Sequence, residues 1–180
     1  MSTYVQRLVG AAKLDAQVYE EVEADQTAMG QALGTVVLAS VASGIGSYQT
    51  LGMRGLLFGT VAALLGWFVW AVLTFFVGTK ILPEPQTQSD MGELLRTIGF
   101  SASPGLLQVF GFVKGIGPLI GLLASVWMLV AMVVAVRQAL DYTSTGRAVG
   151  VCLIGFVVYV VVVVAVSVVF GIGAAALGSV

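Results

Sequence analysis

The sequence contains no histidine, a single cysteine and few charged side chains, with eight basic and nine acidic residues among 180. One cysteine excludes an intrachain disulfide, and without histidine there are too few soft ligands for a metal site built from thiolate and imidazole groups. The net charge of −1 gives no basic excess of the kind that nucleic-acid binding requires. We therefore expect no metal, no other cofactor and no nucleic-acid partner.

The shortage of charge also decides the protein class. Charged residues make up 9 % of the chain, whereas a soluble domain carries about 25 %. Hydrophobic residues reach 58 %, and the mean hydropathy is +1.02, which excludes a disordered chain. The composition predicts an integral membrane protein. Since a helix satisfies its own backbone hydrogen bonds in lipid and an isolated strand does not, we predict an all-α fold.

Five apolar stretches are long enough to cross a bilayer, which takes about 20 residues in a helix. The third is the weakest because it contains Arg96, Pro104 and several polar side chains. Residues 1–25, which precede all five, hold seven of the charged side chains. We therefore divide the chain into a cytoplasmic, amphipathic and acidic segment, 1–25, and a transmembrane domain, 26–180. The predicted spans are about 26–46, 55–77, 94–113, 118–136 and 148–170.

The positions of lysine and arginine predict the orientation, because cytoplasmic loops are enriched in both. With five spans, six of these residues lie on the side of the N-terminus, and only Arg54 and Lys114 lie on the other side. If the third stretch were re-entrant, the count would become five against three. The asymmetry favours five spans in the plasma (inner) membrane, with a cytoplasmic N-terminus and an external C-terminus.

The N-terminal segment shows two short apolar stripes at helical spacing. Val5, Leu8, Val9 and Ala12 form the first, and Asp15 is placed to cap a second helix. The segment either docks a partner or covers the cytoplasmic ends of the bundle. Its acidic character favours docking on protein over binding to the membrane surface, where basic helices are usual. The candidate docking residues are Tyr19, Glu20, Glu21, Glu23 and Asp25.

Charged residues at the start of the third span and around the loop between the fourth and fifth spans fall at the same membrane boundary. We expect an ion pair between these regions, with Glu93–Arg137 or Asp141–Arg96 as the favoured pairs and Arg147 as a further candidate. The alternative is independent, solvated charges that only set the orientation.

Pro104 breaks the helix rule inside the third span, because it removes a backbone hydrogen bond and clashes with the preceding turn. Ser101, Ser103 and Gln108 lie close by in sequence. Broken helices with polar side chains form the binding sites of many transporters. A small transporter or channel is therefore the alternative function, although a structural kink explains the same residues and no ionisable side chain lies deep in any span.

No nucleophile–base pair and no phosphate-binding loop is visible, so we predict that the protein is not an enzyme. Small residues recur four apart, at Gly30 and Gly34 and at Gly55 and Gly59, which permits close approach of helices within the bundle or between two copies. The partners expected from sequence are thus the lipid bilayer and a protein, either a different chain or a second copy of this one.

Three stretches together resemble the prokaryotic branch of the Yip (Ypt-interacting protein) family of five-span membrane proteins. They are Leu14-Asp15 followed by 19–25 (YEEVEAD), 93–100 (ELLRTIGF) with 103–105 (SPG), and 135–142 (AVRQALDY) leading to 145–148 (TGRA). The resemblance covers nearly the whole chain.

The resemblance implies a five-helix bundle with a cytoplasmic N-terminal segment and no known catalysis. Eukaryotic relatives act in vesicle trafficking and bind Rab-type GTPases through cytoplasmic segments. The N-terminal segment of this chain is too short to contain their long cytoplasmic region, so GTPase binding is not carried over. Our interpretation is a scaffold or accessory protein that engages a partner through its cytoplasmic face.

Overall fold

The computed structural model describes residues 3–177, apart from the side chains at 49–51, 54–55, 162–163, 166–167 and 169–177. The described chain is mainly helical and contains no strand, as the all-α prediction requires. Seven α-helices follow one another: α1 (Tyr4–Ala12), α2 (Ala16–Ala24), α3 (Met29–Gly46), α4 (Tyr48–Phe76), α5 (Met91–Phe100), α6 (Gly117–Ala139) and α7 (Thr145–Leu177). A 3₁₀ turn covers Gln26–Ala28, and a longer 3₁₀ segment covers Ser103–Phe112. A π-helical turn covers Val77–Ile81.

Three helices are long and apolar enough to cross a membrane, at Gln26–Gly46, Leu56–Ile81 and Gly117–Ala139. They match the predicted first, second and fourth spans. The described apolar part of α7, Thr145–Val161, is shorter than a span, and the last ten or so residues predicted for that span have few described side chains. The count of five therefore stays a prediction.

The predicted third span, 94–113, is not one helix, so the break that Pro104 suggested is present. α5 starts earlier, at Met91, and ends at Phe100, and a 3₁₀ segment begins at Ser103. Pro104 has no N–H to continue the α-helical pattern. The hydroxyl groups of Ser101 and Ser103 donate to the carbonyls of the preceding turn, of Ile98 and Phe100, and so satisfy groups that the broken helix leaves free.

The interrupted third segment nevertheless runs beside α3 from one end to the other. α3 and the third segment approach so closely that a methyl group added to a glycine of one would touch the other. Such contacts join Gly92 to Met29, Gly99 to Ala32, Gly105 to Ala39 and Gly111 to Gly46. The segment therefore passes the full length of a membrane-spanning helix even though it is not itself one helix.

The N-terminal helices pack on the side of the bundle. The Tyr4 hydroxyl is 3.1 Å from the Thr35 hydroxyl, near the middle of α3. The indole N–H of Trp127, near the middle of α6, donates to the Ala12 carbonyl at 2.8 Å. The segment 1–25 thus reaches deeper along the bundle than a cover over the helix ends would.

The face that α1 buries is lined by small residues and Arg7 and leaves part of the apolar stripe exposed. Arg7, Gly10 and Ala11 are buried, whereas Val5 is 66 % and Val9 is 48 % exposed. Apolar side chains that point away from the protein are normal where lipid is the solvent. In contrast, Asp15 accepts a hydrogen bond from the Gln17 backbone N–H at 3.0 Å and caps α2, as predicted.

Candidate functional site

Arg7 holds α1 against α2, and its side chain is only 2 % exposed. Its Nη2 lies 2.8 Å from Oε1 of Glu21 and 2.6 Å from Oδ2 of Asp25, and its Nη1 donates to Gln31 at 3.0 Å. Hydrogen bonds from the Thr27 hydroxyl and from Arg7 lower the pKa of Asp25 to about 2. A buried guanidinium needs such partners, because an unpaired charge is costly to remove from water. Glu21 and Asp25, both predicted to dock a partner, are therefore engaged inside the protein.

Tyr19, another predicted docking residue, is completely buried. Its ring packs in a core cluster with Phe100 and Ala135, and its hydroxyl donates to the Ala11 carbonyl at 3.2 Å. Burial raises the pKa of this hydroxyl far above its usual range. A partner cannot reach the side chain, so the structure replaces its docking role with a packing role.

Four carboxylates from three separate elements form what we call the acidic patch: Glu20 and Glu23 of α2, Glu93 of α5, and Asp141 after α6. Burial, together with the negative charges of Asp141, Glu93 and Glu20, raises the pKa of Glu23 to about 7, and the positive charge of Arg96 opposes this shift. Glu20 is exposed and accepts a hydrogen bond from Nε2 of Gln138 at 2.8 Å. In the part of the chain that the structure describes, none of the four forms a salt bridge. The patch therefore brings like charges together without a paired cation.

Arg96 lies beside this patch, but it binds backbone rather than Asp141. It is 5 % exposed, and its Nε donates to the carbonyls of Val22 and Glu23 at 3.0 and 3.1 Å. These are carbonyls of the last turn of α2, which have no partner within the helix. A cation at this end is also favoured by the helix dipole. Arg96 thus fixes the end of α2 to α5.

Arg137 and Glu93 likewise have partners other than each other. Arg137 donates to the carbonyls of Tyr142 and Thr143 at 3.2 and 3.4 Å and closes the turn after α6. Glu93 and Asp90 form a reciprocal capping box at the start of α5. Over the described residues, the two favoured ion pairs do not occur, because local backbone groups occupy these side chains.

Arg147 does form an ion pair, and its partner is Glu84. The Nε of Arg147 is 3.3 Å from Oε1 of Glu84, whose side chain is 6 % exposed. Glu84 also accepts hydrogen bonds from the Thr143 backbone N–H at 3.0 Å and from its hydroxyl at 2.9 Å, and these bonds lower the pKa of Glu84. The loop after α4 is thereby fastened to the turn between α6 and α7.

The residues of the predicted broken-helix site come together around the interruption. Ser101, Ser103 and Pro104 are buried. Nε2 of Gln108 is 3.4 Å from the Ser125 hydroxyl on α6. A cavity of about 460 Å³ reaches Ser101 and Gln108, whereas Ser103 and Pro104 do not line it.

Arg7 and Glu84, two charged residues with several internal partners, were not among the site residues predicted from the sequence. Two local signals pointed to them. Arg7 shares a helix face with the small residues Gly10 and Ala11, which is typical of close packing. Glu84 stands between Pro83 and Pro85, which restrict the backbone around it.

Comparison with known proteins places the chain in a family. A family model described as the Yip1 domain matches residues 16–165. No curated protein and no solved structure matches the chain. The match covers α2 through the described apolar part of α7, and it agrees with the resemblance found in the sequence. The chain belongs to the Yip1 domain family of membrane proteins.

Proposed function

We propose that this protein is a non-catalytic accessory protein of the membrane that docks a partner protein through the acidic patch. The observation that carries the proposal is the grouping of Glu20, Glu23, Glu93 and Asp141, with the pKa of Glu23 raised to about 7. A lysine- or arginine-rich segment of a partner would relieve the repulsion among these carboxylates, and complementary charge favours both encounter and register.

The proposed surface is narrower than the sequence indicated. Of the candidate docking residues, Glu20 and Glu23 remain available, whereas Tyr19 is buried and Glu21 and Asp25 bind Arg7. Glu93 and Asp141 join the surface from other elements. The internal bonds of Arg7 and Arg96 hold α2 in place, so the N-terminal segment presents its acidic side chains on a fixed scaffold.

The test compares the wild-type protein with a variant carrying Glu20→Gln, Glu23→Gln and Asp141→Asn. The matched control is Asp15→Asn, which removes a carboxylate outside the patch and keeps a good helix cap. After purification in mild detergent, co-purifying proteins are quantified by mass spectrometry. We expect the recovery of a basic partner to fall about tenfold in the triple variant, equivalent to about 1.4 kcal/mol of binding free energy. Its recovery with the control variant should equal that with the wild type. Equal recovery from all three proteins would contradict docking at the patch.

The orientation belongs to the same proposal. A cytoplasmic patch requires a cytoplasmic N-terminus, which the distribution of lysine and arginine supports. The extreme C-terminus lies outside the described residues. The check uses Cys152→Ser with single cysteines introduced at positions 2, 49, 86 and 179, labelled with an impermeant thiol reagent in sealed cells. Labelling at 49 and 179 alone is expected, and labelling at 86 would overturn the orientation.

A second candidate function is transport through the interrupted third segment. The cavity that reaches Ser101 and Gln108 supports it. No charged side chain of the described residues lines this cavity, which favours an uncharged solute. The test is flux of small neutral solutes into proteoliposomes, with Gln108→Leu as the variant that should lower the rate. Rates equal to those of protein-free vesicles would remove this candidate.

A further inference from the structure

The cavity between α3, α4, α6 and the interrupted third segment is large enough to hold a ligand. Its volume of about 460 Å³ lies within the range of small-molecule sites, roughly 300–1,000 Å³. Among the side chains that the structure describes, no aspartate, glutamate, lysine or arginine lines it. A charged ligand would be buried there without a counter-charge, which is strongly unfavourable. The ligand that fits is therefore uncharged over the part that enters.

Several polar groups at the wall already form local hydrogen bonds. The hydroxyls of Ser40, Ser47 and Ser101 donate to carbonyls of their own helices, three or four residues earlier. Gln108 contacts the Ser125 hydroxyl. A polar solute would find few free donors here, whereas an apolar one needs none. The hydroxyls of Ser43 and Tyr159 also line the cavity. The indole N–H of Trp70 is buried and has no hydrogen-bond partner among the described residues.

The wall formed by α4 shows that the cavity is elongated. Gly59, Ala63, Gly66, Trp67 and Trp70 all line it, and their spacing places them on one face of the helix. From the first to the last of these positions the helix rises about 16 Å. This helix is one of those apolar enough to cross the membrane. The cavity thus lies along the bundle axis, the direction in which lipid chains run.

Two glycines leave this space open. A methyl group added at Gly59 or at Gly66 would meet nothing within 4 Å. In contrast, one added at Gly105 would lie 2.8 Å from the Met128 sulfur, where the helices pack tightly. Gly59 is also exposed, so the cavity reaches the protein surface at that point. These glycines therefore do not serve close helix packing, and they leave room that larger side chains would fill.

We propose that this cavity binds one linear, uncharged hydrocarbon chain, from a membrane lipid or from a free long-chain alcohol. Trp67 and Trp70, which line the cavity, contact the chain. The proposal does not rest on the acidic patch. It competes with the transport alternative, because a resident chain occupies the space that a neutral solute would need.

The experiment uses two photoreactive probes, each with a diazirine in the hydrocarbon chain, added to the full-length protein in nanodiscs. One probe is a phosphatidylcholine and the other is a long-chain alcohol. Labelled positions are mapped by mass spectrometry in the wild type, in Gly59→Leu and in Gly66→Leu. The matched control is Gly121→Leu, since Gly121 lies in a membrane-spanning helix, has open space beside it and does not line the cavity.

We expect labelling at residues that line the cavity, reduced about tenfold in the two cavity variants and unchanged in the control. Labelling by the lipid, by the alcohol or by both supports the proposal and identifies the source of the chain. Labelling that is absent from the cavity, or equal in all four proteins, overturns it. If Gly66→Leu does not fold, the same test is made with Gly59→Leu and with an unlabelled long-chain alcohol as competitor, each of which should reduce labelling in the cavity. Unchanged labelling after neutralisation of the acidic patch would separate this site from the docking proposal.

Discussion

The guanidinium group of Arg7 in α1 lies 2.6 Å from the carboxylate of Asp25, at the end of α2. Together with Glu21, which Arg7 also contacts at 2.8 Å, Asp25 turns the N-terminal segment into a fixed helical hairpin. The short connection between the two helices brings these charges within reach of one another. The position of the acidic patch therefore depends on a buried cation that is not part of the patch.

The first prediction concerns this cation. Arg7→Ala should lower the free energy of unfolding by about 3 kcal/mol, near the low end of the range for removing one partner of a buried ion pair, because Glu21 is partly exposed. The measurement is thermal or denaturant unfolding in detergent. Lys13→Ala, which removes an exposed cation of the same segment, should have little effect. Similar losses in the two variants would contradict the role of Arg7.

The second prediction concerns Tyr19. Tyr19→Phe should cost about 1 kcal/mol for one lost hydrogen bond, because the Ala11 carbonyl still accepts from the Leu14 N–H. Tyr19→Ala should cost about 3–5 kcal/mol, because it leaves a cavity in the core. Both values come from unfolding measurements. If Tyr19→Phe instead removed a bound partner without a change in stability, the ring would have to be accessible, contrary to the structure.

The third prediction is a pH dependence from Glu23. A carboxyl group whose pKa is higher in the folded state binds protons more readily when folded, so the free energy of unfolding falls as the pH rises. For Glu23 this loss should extend from about pH 4.5, the usual pKa, to about pH 7, the value in the folded protein. Asp25 affects stability in a different pH range. Because its pKa is lowered to about 2, the free energy of unfolding falls only as the pH drops below about 4.

Glu23→Gln should therefore flatten the stability profile between about pH 5 and pH 7.5. Asp15→Asn, which removes a carboxylate outside the acidic patch, should keep the slope of the wild type. The profile is measured by thermal unfolding at constant ionic strength, since salt screens exposed charges. An unaltered slope in Glu23→Gln would show that another group titrates.

The fourth prediction compares two glycines of α3. An alanine at Gly46 would place its Cβ against the Gln108 carbonyl of the 3₁₀ segment. Because backbone must move to relieve this overlap, Gly46→Ala should cost about 1–3 kcal/mol. Gly30→Ala in the same helix meets nothing within 4 Å and should stabilise by about 0.5–1 kcal/mol. The same sign for both changes in unfolding experiments would argue against the close approach of α3 and the 3₁₀ segment.

The sequence by itself determined the protein class, the all-helical architecture and the family. Three spans were located to within four residues at each end, because the bilayer requires long apolar helices and the polar breaks between them are short. The N-cap at Asp15 was also predictable, since its hydrogen bond goes to a backbone group two residues away. Pro104 correctly marked the weak third stretch, because its effect on the helix is local.

Only the tertiary structure decided which side chains face inward and which charges pair. The sequence places Val5 and Val9 on one apolar stripe but does not say what the stripe faces, and in the structure both are exposed. The partners of Arg7, Arg96 and Arg147 are carbonyls and carboxylates that meet them only when the helices pack. The cavity beside Gly59 and Gly66 arises in the same way, because an unfilled space depends on the relative placement of several helices, which the spacing of residues along one helix does not encode.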